Sequence, residues 1–187
     1  MSARFDVLDT TLDGLKILQR KPIGDARGYL ERLYCAADLH ELLGDRRIEQ
    51  INRTYTQKRG TVRGLHYQVA PHAETKFVTC LRGEVYDVAV DVREGSPTFL
   101  EWRAVRLDAR EFRTFLIPEG FAHGFQTLTD DCELLYFHTV AHHPESEAGL
   151  HAQDPALAIE WPLAITELSA RDAAHPLARE RFRGVAR

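Results

Sequence analysis

Short apolar blocks and apolar–polar alternation, punctuated by Gly- and Pro-containing turns, run through the middle of the chain and predict strands far more than helices. Residues 76–81 (KFVTCL) lead through the turn Arg82-Gly83 into residues 84–91 (EVYDVAVD), a run rich in β-branched and aromatic side chains. Val85, Val88 and Val90 break strict alternation there, which predicts a strand covered on both faces. Ser96-Pro97 marks the next turn, and residues 98–107 read as a strand carrying Phe99, Trp102 and Val105. Residues 112–117 form another, closed by Pro118-Glu119-Gly120. Residues 121–128 and 132–139 read as a hairpin around the polar tip Thr129-Asp130-Asp131, and residues 29–34 and 48–56 as earlier strands. Helix is scarce. Residues 36–43 read as one short helix ending at Gly44, and Ser169 as the N-cap of another with Asp172 at its third position. The pattern fits one all-β domain over residues 1–187, a sandwich or barrel with short peripheral helices.

Composition narrows the class. With 187 residues, 44% hydrophobic and 28% charged, the chain is long enough to bury a core without disulfides or a structural metal. Lys and Arg number 24 against 28 Asp and Glu, a net charge of −4. That balance argues against binding nucleic acid or a membrane surface, which needs a basic face, but leaves room for a few arginines around a phosphorylated small molecule. Cys35, Cys80 and Cys132 are odd in number and widely spaced, which fits a reducing, cytoplasmic setting. The opening MSARFDVLDT is too polar for a secretory leader, and no apolar run reaches the length of about 18 residues that a membrane span needs.

The candidate chemistry centres on VRGLHYQ at residues 62–68. Alternation in a strand puts Arg63, Leu65 and Tyr67 on one face and Gly64, His66 and Gln68 on the other, unless a bend at Gly64 brings Arg63 and His66 together. A lone strand histidine is usually structural. Lys76 pointing inward beside it would add a fixed positive charge suited to holding an enolate. His123 enters a strand from a turn and is equally well explained as a backbone-satisfied side chain. Tyr136 reads by default as core, Asp172 as a helix-capping acid, and Arg27 in GDARG as a solvated loop residue able to grip phosphate. No phosphate-cradling Walker loop, dinucleotide glycine pattern or Gly-x-Ser-x-Gly elbow occurs.

Taken together, the motifs resemble the dTDP-4-dehydrorhamnose 3,5-epimerases. The matching stretches are GDARG at 24–28, QIN at 50–52, VRGLHYQ at 62–68, VAVDVR at 88–93, GSPTF at 95–99, IPEGFAHGF at 117–125, DP at 154–155, IEWP at 159–162 and LSARD at 168–172. They run in the family's order across most of the chain. The resemblance implies a cupin-type β jelly roll, a homodimer, and epimerisation of a nucleotide-diphosphate 4-keto-6-deoxy sugar without cofactor or metal. It assigns His66 as base, Asp172 as its paired carboxylate, Lys76 near the 4-keto oxygen and Tyr136 as the acid on the opposite face of the sugar. It places Arg27 and Arg63 at the diphosphate, Glu31, Gln50 and Asn52 around the nucleotide, and His123 in the sugar site, with Arg171 and His142 also at the substrate. His142 stands where many members carry a second tyrosine. Two rival readings remain at this point. A metal-dependent cupin would use His66, Glu74 and His123, although Gln68 fills the second position of the usual His-x-His pair. A sugar-nucleotide-binding module would bind without chemistry.

Overall fold

The computed structural model describes residues 4–178 and 182–186; residues 1–3, which open the polar N-terminal run, lie outside them. Thirteen strands dominate: β1 (Phe5–Asp9), β2 (Lys16–Arg20), β3 (Ile23–Asp25), β4 (Gly28–Leu30), β5 (Gln50–Thr56), β6 (Val62–Gln68), β7 (Lys76–Arg82), β8 (Glu84–Asp91), β9 (Trp102–Asp108), β10 (Arg113–Ile117), β11 (Phe121–Thr127), β12 (Cys132–His138) and β13 (Glu147–Gly149). Two single-turn helices accompany them, α1 (His40–Leu43) and α2 (Ala170–Ala173). One sheet has six strands in the order β1-β2-β10-β7-β12-β5, the other five in the order β13-β6-β11-β8-β9; β3 and β4 form a separate two-stranded ribbon. All the ladders are antiparallel, and the two large sheets make the expected all-β jelly roll. No helix among the described residues is long and apolar enough to cross a membrane.

The period of two along each strand explains the layers. Val78 and Cys80 of β7, Val85 and Ala89 of β8, Phe121 and Phe125 of β11, and Leu134 and Tyr136 of β12 meet in the cluster between the sheets. Their sequence neighbours point outward. Val88 and Val90 pack with Leu65, Tyr67 and the C-terminal segment around Leu150 and Leu157 on one side. Phe77, Leu116 and Phe137 pack with Leu39 and Leu43 around α1 on the other. Each sheet is therefore backed by an apolar cluster on its outer face, and β8 is covered on both faces as its pattern predicts.

Several expected elements change on folding. Residues 121–128 and 132–139 are not a hairpin, because β11 lies between β6 and β8 while β12 lies between β7 and β5 in the opposite sheet. The tip carries the chain from one sheet to the other, and the Arg82-Gly83 turn does the same between β7 and β8. The two crossings pack together at Gly83, where φ is +78° and a Cβ would fall 2.6 Å from Thr129 Oγ1 and 2.7 Å from Cys132 Sγ. The strand expected from 98 starts only at Trp102. The buried Asp91 carboxylate accepts from Ser96 Oγ (2.6 Å) and Thr98 Oγ1 (2.7 Å), which curls this stretch into a turn. The strand expected over 29–34 stops at Leu30, since Glu31 turns aside to Arg20. The helix over 36–43 shrinks to His40–Leu43, and the β1–β2 pair went unforeseen. Ser169 does cap α2: its Oγ accepts from Asp172 N at 3.0 Å.

Candidate active site

A cavity of about 1110 Å³ opens between the sheets where the inward-facing positions turn from apolar to polar. Its lining includes His66, Lys76, His123, Tyr136, Asp172, Arg63, Gln50, Asn52, His142 and Arg171, so the fold gathers these sequence-expected residues from five strands, the loop after β12 and α2. Tyr136 continues the inward row of Leu134, and its register partners are Val78 on β7 and Asn52 on β5. Lys76 lies two places before Val78 on the same face. His123 lies between Phe121 and Phe125, and faces His66 across the β6–β11 ladder.

Gly64 resolves the question of alternation. Its φ is +112°, and the β6–β11 register shifts between His123 and Phe125, so Arg63 and His66 both reach the cavity. A Cβ on Gly64 would fall 2.6 Å from His123 O and 2.7 Å from Gly124 Cα, which leaves no room for one.

Three close histidine–carboxylate pairs, each within 2.8 Å, place a histidine on the cavity wall. His66 Nε2 lies 2.8 Å from Asp172 Oδ1, and Asp172 Oδ2 accepts from Gly64 N at 3.1 Å. Burial pushes His66 below its ordinary value; Asp172 opposes this, while Arg171 and Lys76 reinforce it. Burial also pushes Asp172 up, but the Gly64 N–H and His66 outweigh it and hold the carboxyl below its usual range. His123 Nε2 lies 2.8 Å from Asp87 Oδ1; burial drives Asp87 upward, with His123 opposing. His138 Nδ1 lies 2.7 Å from Glu74 Oε2, and Lys76 Nζ 3.0 Å from Glu74 Oε1. Burial pushes Glu74 up as well, yet Lys76 and His138 prevail and hold it low. Lys76 also donates to the His66 carbonyl at 3.4 Å, tying the two walls together.

Tyr136 sits between the other two rings. Its centroid is 6.1 Å from that of His123 and 6.0 Å from that of His138. Burial pushes its phenol well above the ordinary value, so it stays protonated at neutral pH. Arg171 Nη2 approaches His66 Nε2 at 3.2 Å and its Nη1 reaches Glu147 Oε1 at 3.2 Å; His142 N donates to Gln50 Oε1 at 2.9 Å.

Two expected site residues lie elsewhere. Arg27 is exposed on the β3–β4 turn and paired with Asp25 at 2.6 Å, while Glu31 pairs with the buried Arg20 at 2.9 Å; neither lines the cavity of this chain. The metal-ligand set His66, Glu74 and His123 also fails to converge, because each is paired to a different partner, and among the described residues their ligand atoms do not gather within 4.8 Å. Sequence reading missed Asp87, His138, Glu147 and His175. Asp87 did leave a signal, a carboxylate on the same face as Val85 and Ala89 in an otherwise apolar run.

Known proteins share this fold and much of this sequence. The sequence model of the dTDP-4-dehydrorhamnose 3,5-epimerases matches residues 9–180. The chain belongs to that family. The dTDP-4-dehydrorhamnose 3,5-epimerase of Salmonella typhimurium is 43% identical over 173 residues, covering 91% of this chain and 94% of the relative. The crystal structure of the Legionella pneumophila 3,5-epimerase in complex with dTDP-4-keto-L-rhamnose superposes with a TM-score of 0.88 at 45% identity, covering 92% of each chain. A 3′-monoepimerase from Streptomyces bikiniensis, crystallised with dTDP-quinovose, is similar at 33% identity and a TM-score of 0.83, covering 91% of this chain and 86% of its own. As a member of the 3,5-epimerase family the chain is an isomerase. The cavity is divided between the sheets, with His66 on the five-stranded sheet, paired to Asp172 of α2, and Tyr136 with Lys76 on the six-stranded one.

Proposed function

We propose that this epimerase converts dTDP-4-dehydro-6-deoxy-D-glucose to dTDP-4-dehydro-L-rhamnose, inverting C3 and C5 in turn. The observation that carries the reading is a histidine–carboxylate pair and a buried phenol on facing walls of one cavity. The Asp172 carboxylate takes the N–H of His66 Nε2, which leaves Nδ1 to take the proton from the carbon beside the ketone. The electron pair of that C–H bond becomes the enolate, and O4 draws its charge onto the Lys76 ammonium. Asp172 stabilises the imidazolium that forms. The Tyr136 phenol then gives its proton to the opposite face, the carbonyl reforms, and the centre is inverted with no net gain or loss of electrons. Arg63 faces the diphosphate, Gln50 and Asn52 the nucleoside end, and His123, His142 and Arg171 the sugar.

The same reading makes the working unit a cytoplasmic homodimer of one-domain chains. Within one chain Arg27 and Glu31 stay outside the cavity, so a second copy is what would bring them to the nucleotide. The exposed apolar side chains of Ile23, Tyr29 and Leu30 on the same ribbon, and of Ile51 and Tyr55 on the edge strand β5, support such a contact. Cys35, Cys80 and Cys132, all unpaired, fit a reducing compartment.

The deciding experiment incubates the substrate in deuterated water and locates exchanged hydrogens by NMR. Deuterium at both C3 and C5, lost in a folded His66→Asn variant, is the expected result. Exchange at C3 alone would reduce the activity to single-site epimerisation, and exchange surviving in His66→Asn would remove His66 as base.

A further inference from the structure

His175 follows α2 by two residues, and its backbone N–H donates to the Asp172 carbonyl at 3.3 Å, folding the chain back over the site. Its imidazole meets that of His66 edge-on, with centroids 5.4 Å apart at 71°. The ring rests on Gly149, where a Cβ would fall 2.5 Å from its Cε1 and Nε2, and Gly149 is the register partner of His66 on β6. The missing side chain at 149 is thus what admits the ring. His175 Nε2 is buried without a hydrogen bond, and lies 3.8 Å from Asp172 Oδ1, the same oxygen that meets His66 Nε2. A buried N–H with no acceptor is costly. Closing the gap to hydrogen-bond distance takes about 0.9 Å of side-chain movement.

We propose that His175 is a positioning residue of the epimerase, whose Nε2–H donates to Asp172 Oδ1 and shares that carboxylate with His66. The proposal rests on the reading of His66 as base. Its physical consequence follows from the charges around the dyad. His66 faces Asp172 and Arg171 from α2 and Lys76 from β7; His175 faces Asp172 and His66, and Glu147 on β13 is engaged by Arg171. Of the groups facing His66, Asp172 favours the imidazolium, while Arg171 and Lys76 oppose it. A second donor on Oδ1 weakens the carboxylate's pull and keeps His66 as free base at lower pH. Loss of that donor returns the full charge to His66 and raises its titration midpoint.

The test follows the His66 imidazole by NMR titration, together with the pH profile of deuterium exchange into the sugar. His175→Phe keeps a flat ring over Gly149 and removes the N–H; His175→Leu serves if Phe prevents folding. His175→Gln keeps an N–H at matching reach. Expected is an upward shift of about half a pH unit in the His66 midpoint and in the acid limb for Phe or Leu, a roughly threefold loss of exchange below the limb with KM unchanged, and parental behaviour for Gln. An unmoved midpoint in the Phe or Leu variant, or the same shift in the Gln variant, would overturn the role. Exchange surviving in His66→Asn would defeat the base assignment alone, because the His66 midpoint still reports on His175 whatever His66 does.

Discussion

Asp172→Asn isolates the electrostatic half of the proposed catalytic pair. The carboxylate lies 2.8 Å from His66 Nε2 and is itself almost wholly buried, so little solvent is on hand to replace it. A hydrogen bond to a charged partner in such a setting is worth about 1.5–3 kcal/mol. If the whole of it is felt when His66 becomes imidazolium, proton removal slows about 10- to 160-fold, at 1.36 kcal/mol per factor of ten. The sign of the pH effect is fixed as well. Asp172 raises the His66 value against burial, Arg171 and Lys76, so its loss lowers that value and moves the acid limb to lower pH. The variant's deficit is therefore largest at and above neutrality and shrinks as pH falls. The assay is the initial rate of deuterium incorporation at C3 and C5, measured with the KM for the sugar nucleotide, which should hold because Asp172 faces the base. A folded Asp172→Asn enzyme exchanging within threefold of the parent between about pH 6 and 9 would refute the pairing as a source of rate.

Tyr136→Phe keeps the ring between His123 and His138 but removes the donor, so deuterium should still enter the sugar while inverted product, read by NMR on the same samples, nearly disappears; His142→Ala added to it should remove any inversion left. Gly64→Ala drives a methyl into the His123 carbonyl at a φ of +112°, and thermal unfolding should show a loss of about 2 kcal/mol or more. Mixing Arg27→Ala chains with His66→Asn chains, each inactive alone, should restore about a quarter of parental activity if Arg27 serves the partner copy's cavity; no recovery after verified subunit exchange would place Arg27 outside the site.

What the sequence disclosed was mostly what one strand can say about itself. The doubled valine pattern of β8 announced a strand covered on both faces, and Ser169 announced the turn that sets Asp172 in place. Tyr136 looked like core because it is core, sharing the inner face with Leu134 and differing only in having a cavity at its hydroxyl end. The hairpin assigned to residues 121–139 failed because alternation is identical whether two successive strands pair with each other or cross to opposite sheets. Arg63 and His66 share a cavity through a backbone twist that the identity of Gly64 permits but does not announce. His138 was passed over, and Glu74 read as a metal ligand, for a simpler reason: the part a buried charge plays is plain only when its partner, distant in the sequence, is known.

The placement of the proposed base and acid on different sheets turns the core into a ruler. Their separation is set by how thickly Val78, Val85, Phe115 and Phe125 fill the space between the layers, nominally about 10 Å apart. A methylene gained or lost there leaves every polar contact of either wall intact, yet changes how far a proton donor stands from the carbon it must reach. Residues that never meet the sugar thereby govern whether abstraction at one face is answered by delivery at the other. Variation in this family's stereochemical outcome can arise as much from the thickness of its hydrophobic filling as from the side chains that handle protons.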